Sequence, residues 1–259
     1  MISLRILCCA LAIILLSVGS ALAHEVRVGI GFSLPPYVIR EADGGMEVDI
    51  IREALKNAGH DVEFVYLPNL RLPVDYAQGD VDCVVANAAY DLEKDSGRKV
   101  YPSNVTIAYQ NFAMSLSEKG LVINQIKDLT NLHVLAFNNA TKYLGPEFAA
   151  MARNNPEYSE LPDQSLQVRM LYSERVEVVV SDKQIFLWWR NKVRRSNAAV
   201  SQDMTAVVDF HPIFTSSPRR LYFNNSSLRD AFNIGLDEIV KSGLYDSIIS
   251  SYVDDVSSK

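Results

Sequence analysis

The sequence predicts an α/β fold made of two β/α units in tandem, and three observations carry that prediction. Short runs rich in β-branched residues alternate with segments whose apolar residues recur at helical spacing. The alternation breaks near residue 110 and then resumes in the same style. Two amphipathic segments close the chain with no strand after them, so they need a sheet to cover.

The N-terminus is read first. Met1 to Arg5 carry one positive charge, Ile6 to Leu16 are apolar, and Ala21-Leu22-Ala23 is an A-x-A ending. That order predicts a secretory signal peptide over residues 1–23. The apolar run is shorter than the roughly 20 residues a membrane span needs. Cys8 and Cys9 precede most of it, which is the wrong place for lipidation. The mature chain then runs from His24 to Lys259, and its expected location is the periplasm.

Val26 to Ile30 reads as a buried strand. In the next segment Met46, Ile50, Ile51, Ala54, Leu55 and Ala58 fall on one helical face, and Gly59 is the stop. Val62 to Tyr66 is a second strand, a short helix ends near Gly79, and Val81 to Ala86 is a third strand. This β-α-β-α-β order implies parallel strands with helices on both faces.

The second unit opens with a strand over Leu132 to Phe137 and a helix from about Pro146, since proline suits a first helical turn. Ser165 to Leu171 reads as a helix. Val176 to Val180 reads as a strand buried on both faces, and Lys183 to Val193 as a helix. The two closing helices present Leu228, Ala231, Phe232, Leu236, Ile239 and Val240, then Leu244, Tyr245, Ile248, Ile249 and Tyr252. Ser226 or Ser227 is the expected cap, and Gly243 the stop between them.

Composition removes several function classes. The formal charge is -6 and becomes -7 once Arg5 is cleaved away. A mildly acidic surface of mixed sign argues against a nucleic-acid partner. The cluster Arg190, Lys192, Arg194 and Arg195 reads as a solvated helix end. Cys83 is the one cysteine of the mature chain, so it has no internal disulfide partner, and its apolar neighbours predict packing rather than chemistry. His24, His60, His133 and His211 are scattered without metal-ligand spacing. No nucleophile elbow, phosphate loop or dinucleotide fingerprint occurs; Gly29-Ile30-Gly31 continues as Phe32-Ser33-Leu34. Neither a metal nor an organic cofactor is expected.

A colinear set of short segments is more specific. It runs from Val26-Arg27-Val28-Gly29, Pro35-Pro36-Tyr37 and Asp43-Gly44-Gly45-Met46-Glu47-Val48-Asp49 to Gln78-Gly79-Asp80-Val81-Asp82. It continues with Ile126-Lys127-Asp128-Leu129 and Arg175 to Asp182, and ends with Leu228 to Asn233 and Lys241 to Asp246. Together these resemble the family 3 extracellular solute-binding proteins, the polar amino-acid receptors of ABC importers. The resemblance implies a periplasmic-binding-protein-like type II fold: two α/β lobes with a hinge and a ligand cleft between them. Lobe one would hold residues 24–110 and 217–259, and lobe two 111–216. It further implies a monomer that captures a small polar molecule, an amino acid or an amine-bearing relative, with an inner-membrane ABC permease as partner. Two other readings stay open: an enzyme on the same scaffold, like the periplasmic cyclohexadienyl dehydratases, and a sensory or orphan receptor without a transporter.

The pocket departs from the family's pattern. Leu34 stands where the family places an aromatic ring, and a second ring expected near Asn69 is absent. The family's carboxylate-clamping segment here reads Asn87-Ala88-Ala89-Tyr90-Asp91-Leu92-Glu93-Lys94, with Lys94 at the arginine position. A lysine is a point charge and cannot make the bidentate fork. Arg71, Lys94 or Arg98 is the candidate replacement. The Gly-Thr pair of lobe two is replaced within Asn138-Asn139-Ala140-Thr141. Asp182 matches the acid that receives a ligand's ammonium group in the family, although an acid there also suits a helix cap. The candidate ligand-binding residues are therefore Asp182, Arg71, Tyr37, Asn87, Tyr90, Lys94, Asn139 and Thr141, with no catalytic residue assigned.

Overall fold

The computed structural model describes residues 25–196 and 204–253. The expected signal peptide lies outside the described residues.

Among the described residues ten strands form two five-stranded sheets. The first is made by β1 (Val26–Gly31), β2 (Val62–Leu67), β3 (Cys83–Asn87), β4 (Tyr101–Tyr109) and β10 (Ser217–Phe223), in the order β2-β1-β3-β10-β4. The second is made by β5 (Asn111–Leu116), β6 (Val134–Phe137), β7 (Tyr158–Leu161), β8 (Val178–Asp182) and β9 (Val208–His211), in the order β7-β6-β8-β5-β9. Each sheet carries helices on both faces, which gives two lobes of mixed α/β architecture.

In the first lobe α1 (Met46–Asn57) and α8 (Ser226–Lys241) cover one face, with Val28, Ile30, Ile50, Ile51, Phe223, Phe232 and Leu236 in a common core. The other face is covered by α2 (Leu72–Gln78) and α3 (Leu92–Ser96), around Leu72, Tyr76, Val84, Leu92 and Tyr222. In the second lobe α4 (Ala140–Tyr143) and α5 (Pro146–Asn154) pack one face around Phe148 and Val178. The opposite face takes α6 (Gln164–Tyr172) and α7 (Lys183–Arg195) around Leu171, Val179 and Phe186. The last helix, α9 (Leu244–Val253), packs on α1, α8 and α7. Asn191 Nδ2 on α7 donates to the Val253 carbonyl at 2.6 Å, so α9 ties the lobes together.

Several expectations need correction. The sheets are mixed rather than all-parallel. β10 runs antiparallel to β3 and β4, and β5 antiparallel to β8 and β9. Apolar patterning does not reveal β4 and β10, because Pro102, Ser103 and Asn104 interrupt the first and Pro218, Arg219 and Arg220 the second. The cap of α8 is Asn225, whose side chain accepts from Ser227 N and Leu228 N, not either serine. Val240 and Leu244 are exposed rather than on the buried face. The close helix contact is made instead at Gly235: a Cβ there would lie 2.0 Å from the Ala54 carbonyl oxygen of α1. The strand expected over Val176 to Val180 is displaced to Val178–Asp182 and is buried throughout.

Candidate functional site

Strand register decides where the site lies. β3 and β4 both run antiparallel to β10, so they are parallel to each other and end on one edge of the first sheet. Tyr109 closes β4 and pairs with Ser217; Asn87 closes β3 and pairs with Arg219. After Gln110, β5 opens at Asn111, directly opposite Asp182 at the end of β8. A one-residue crossing therefore sets the carboxyl ends of the parallel strands of one lobe against those of the other. Ligands of α/β folds bind at such ends, beside helix N-termini. The chain returns between His211 and Ser217.

Asp182 stands at this junction. It is the last residue of β8 and the N-cap of α7, accepting from Gln184 N at 2.9 Å and Ile185 N at 3.1 Å. Gln110 N donates to Oδ2 at 2.8 Å. The Tyr37 hydroxyl of lobe one lies 2.9 and 3.0 Å from the two carboxylate oxygens and donates to them. Burial pushes the Asp182 carboxyl above its ordinary value, and the hydrogen bonds from Ile185, Gln110, Tyr37 and Gln184 offset that only in part. A carboxylate desolvated this way gains from any cation brought beside it. Burial also pushes the Tyr37 phenol up, and the neighbouring Asp182 adds to this.

Behind this pair lies a polar network that sequence reasoning missed. The Tyr37 and Tyr109 rings are 4.1 Å apart. Tyr109 donates its hydroxyl to Glu47 Oε2 at 2.8 Å, and Arg219 Nε donates to Glu47 Oε1 at 3.3 Å. Glu47 is fully buried at the start of α1. One buried carboxylate thus holds the strand that leaves lobe one and the strand that returns to it. No local sequence pattern announces this, because Glu47, Tyr109 and Arg219 are brought together only by the order β3-β10-β4.

The other candidate residues fall into two groups. Asn139 and Thr141 meet at the start of α4, where their donors converge on Glu160 of β7. Glu160 accepts from Asn139 N at 2.6 Å, Thr141 N at 3.0 Å, Thr141 Oγ1 at 2.9 Å and the Tyr158 hydroxyl at 2.8 Å. Burial pushes the Glu160 carboxyl up, but the bonds from Thr141, Tyr158 and Asn139 outweigh it and leave it below its ordinary value. Sequence gives one hint: Tyr158 and Glu160 are two apart on a strand and so share a face.

In lobe one, Asn87 Nδ2 donates to Ser217 Oγ at 2.6 Å and its Oδ1 accepts from Ala89 N at 2.7 Å, which fixes the loop after β3. Tyr90 donates to Asp95 Oδ2 at 2.7 Å. Lys94 is an exposed residue of α3, and its backbone N–H is capped by Asp91 at 3.1 Å. Arg71 is exposed and forms an ion pair with Asp75 Oδ1 at 2.8 Å, off the hydrogen-bond direction. Arg98 Nε donates to the Ala77 carbonyl at 3.0 Å. The structure thus joins Tyr37 to Asp182 and Asn139 to Thr141, and leaves Arg71 and Lys94 on the surface of lobe one.

Two α/β lobes meeting at the carboxyl ends of their strands, with a buried acid at the junction, define the class of two-lobed solute-binding folds. The chain belongs to the bacterial extracellular solute-binding proteins, family 3, whose family model matches residues 26–255. No curated protein matches the sequence. Solved structures do. An ancestral cationic amino acid solute-binding protein superposes with a TM-score of 0.65 at 18% identity, over 89% of this chain and 96% of that one. A histidine kinase sensor domain similar to periplasmic binding proteins gives 0.57 at 14% identity, over 89% and 96% of the two chains. Another structure of the first of these proteins, described as an ancestral amino-acid-binding protein and a precursor of cyclohexadienyl dehydratase, gives 0.54 at 17% identity, over 89% and 95%. At these identities the likeness is one of fold.

Proposed function

We propose that this protein is a periplasmic receptor. It captures a small polar ligand, an amino acid or an amine-bearing relative, between its lobes and delivers it to an ABC-type importer. The observation that carries the reading is Asp182, a desolvated carboxylate at the end of β8 on the line where the lobes meet. In this reading Asp182 faces a cationic group of the ligand, and Asn87 and Tyr90 border it from lobe one. Asn139 and Thr141 border it from lobe two, while Arg71 and Lys94 lie at the rim. Lobe one comprises residues 24–110 and 217–259 and lobe two 111–216. Closure turns on Gln110 and the segment 212–216. Residues 1–23 are removed on export, and the mature protein is a monomer without catalytic residues.

A thermal-shift screen of the mature protein against amino acids, amines and small carboxylates tests this. A ligand present at 100 times its Kd stabilises the folded state by about 2.7 kcal/mol. A hit among amines or amino acids supports the reading, and a screen without one counts against it. The similarity to the dehydratase precursor favours one rival, an enzyme on the same scaffold; turnover of a cyclohexadienyl acid by the purified protein would establish it. The similarity to a kinase sensor domain favours another, a receptor that feeds a signalling protein.

A further inference from the structure

We propose that Arg220 receives a carboxylate of the ligand from lobe one, as an arginine that the protein itself leaves unpaired near the cleft edge of β10. The inference rests on the cleft being the ligand site. It goes beyond that reading in choosing a carboxylate-bearing ligand over a simple amine, and in naming the residue that selects it.

Arg219 and Arg220 are consecutive on β10, so their side chains leave the sheet on opposite faces. Arg219 turns toward α1, where Glu47 accepts from it. Arg220 shares the other face with Tyr222, which packs with Val84, Ala86 and Leu92. In register Arg220 stands opposite Ala86, one residue before Asn87 closes β3 at the junction of the lobes. Its Nε is buried and has no hydrogen-bond partner. The residue as a whole is only partly buried, which leaves the guanidinium open to a ligand. A buried N–H without an acceptor is destabilising, and a ligand that brings the acceptor removes that cost.

The other donors along this edge are already engaged. In the loop after β3, Ala88 N donates to the Pro218 carbonyl at 2.8 Å, Ala89 N to Asn87 Oδ1 at 2.7 Å and Tyr90 N to the Asn87 carbonyl at 3.0 Å. Arg219 is committed to Glu47, Arg71 to Asp75 and Arg98 to the Ala77 carbonyl. Asp91 is the acid on the Arg220 side: burial pushes the Tyr222 phenol up, Arg220 and Arg219 pull it down, and Asp91 pushes it up. The Asp91 side chain caps α3 by accepting from Lys94 N. A planar guanidinium presents two parallel N–H donors to a carboxylate, which the point charge of a lysine does not. An amino acid offers a carboxylate to Arg220 in lobe one and an ammonium group to Asp182 in lobe two. A simple amine offers only the second.

Matched pairs that differ by one carboxylate test the proposal. The probes are phenylalanine with phenethylamine, lysine with cadaverine, and arginine with agmatine, titrated calorimetrically into the mature wild type, Arg220→Gln and Arg220→Lys. In the wild type the amino acid of at least one pair should bind tighter than its amine by about tenfold or more. Arg220→Gln should lose most of that ratio by weakening the amino acid, while the amine stays within about twofold of its wild-type affinity. Arg220→Lys keeps the charge without the fork and should fall between the two. A wild type that binds the amine as tightly as the amino acid overturns the proposal and leaves the receptor reading intact. So does an unchanged ratio in a folded Arg220→Gln. If Arg220→Gln does not fold, Arg220→Lys decides: a narrowed ratio supports the proposal and an unchanged one overturns it. If neither variant folds, Arg220 is a structural residue and the proposal falls. If no member of any pair binds, the proposal falls, and the thermal-shift screen decides the receptor reading by itself.

Discussion

The Tyr37 hydroxyl of one lobe donates to the Asp182 carboxylate of the other, with both residues buried and 145 positions apart. A hydrogen bond to a charged group contributes about 1.5–3 kcal/mol. Tyr37→Phe keeps the ring against Tyr109 and removes that bond. The variant should lose stability by about this amount in urea unfolding. An unchanged midpoint would mean that the two groups are satisfied independently of each other.

Gly235 offers a test of helix packing. Its backbone is not in the left-handed region, so alanine should favour the helix by about 0.5–1 kcal/mol on propensity alone. The added Cβ, however, would lie 2.0 Å from the Ala54 carbonyl oxygen, and backbone cannot yield as a side chain can. Overpacking costs about 1–3 kcal/mol. Gly235→Ala should therefore be destabilised in thermal unfolding; a stabilised variant would show that α1 and α8 are further apart.

The acid limb of stability should depend on Glu160. Its folded pKa lies below the ordinary 4.5, so the unfolded chain binds the proton first as pH falls. The contribution is present above 4.5 and is lost as pH drops through the folded value. Asp182 has the opposite sign: with its pKa raised above 3.8, its contribution is present at low pH and is lost as pH rises through the folded value. Urea midpoints for the wild type and Glu160→Gln, followed from neutral pH to below 4.5, should converge at the acid end. Parallel curves would show that the Glu160 hydrogen bonds carry no stability.

Cys83 is fully buried, and burial together with Asp82 raises its thiol. The folded mature protein should resist thiol reagents and react only as it unfolds. Rapid labelling of the native protein would contradict this.

The fold was legible where patterning is local. The Val26, Val62 and Val178 strands and the faces of α1 and α7 follow from β-branched runs and helical spacing, because one buried face is enough to impose them. β4 and β10 were not legible, since Pro102 and Pro218 break their patterns and their pairing is long-range. The same reason hides Glu47 and Glu160. Each is an ordinary acid in its own segment. Each acquires its role only when the sheet order brings Arg219 and Tyr109 to Glu47, or Thr141 to Glu160, within hydrogen-bond distance. Asp182 is singled out by the family resemblance; its place after an apolar strand and before a helix is a local signal only for the end of β8 and the cap of α7.

The most direct measurement of the account is a calorimetric titration of the wild type and Asp182→Asn with the ligand found by screening. Asparagine caps a helix about as well as aspartate, so the Gln184 and Ile185 bonds can persist. What it removes is the charge. Losing one partner of a buried, hydrogen-bonded charge pair costs about 2–5 kcal/mol, or roughly 30-fold to several thousand-fold in affinity. Asp182→Asn should lose affinity in that range while the protein stays folded. Equal affinities for the two proteins would contradict it and leave Asp182 as a helix cap that joins the lobes.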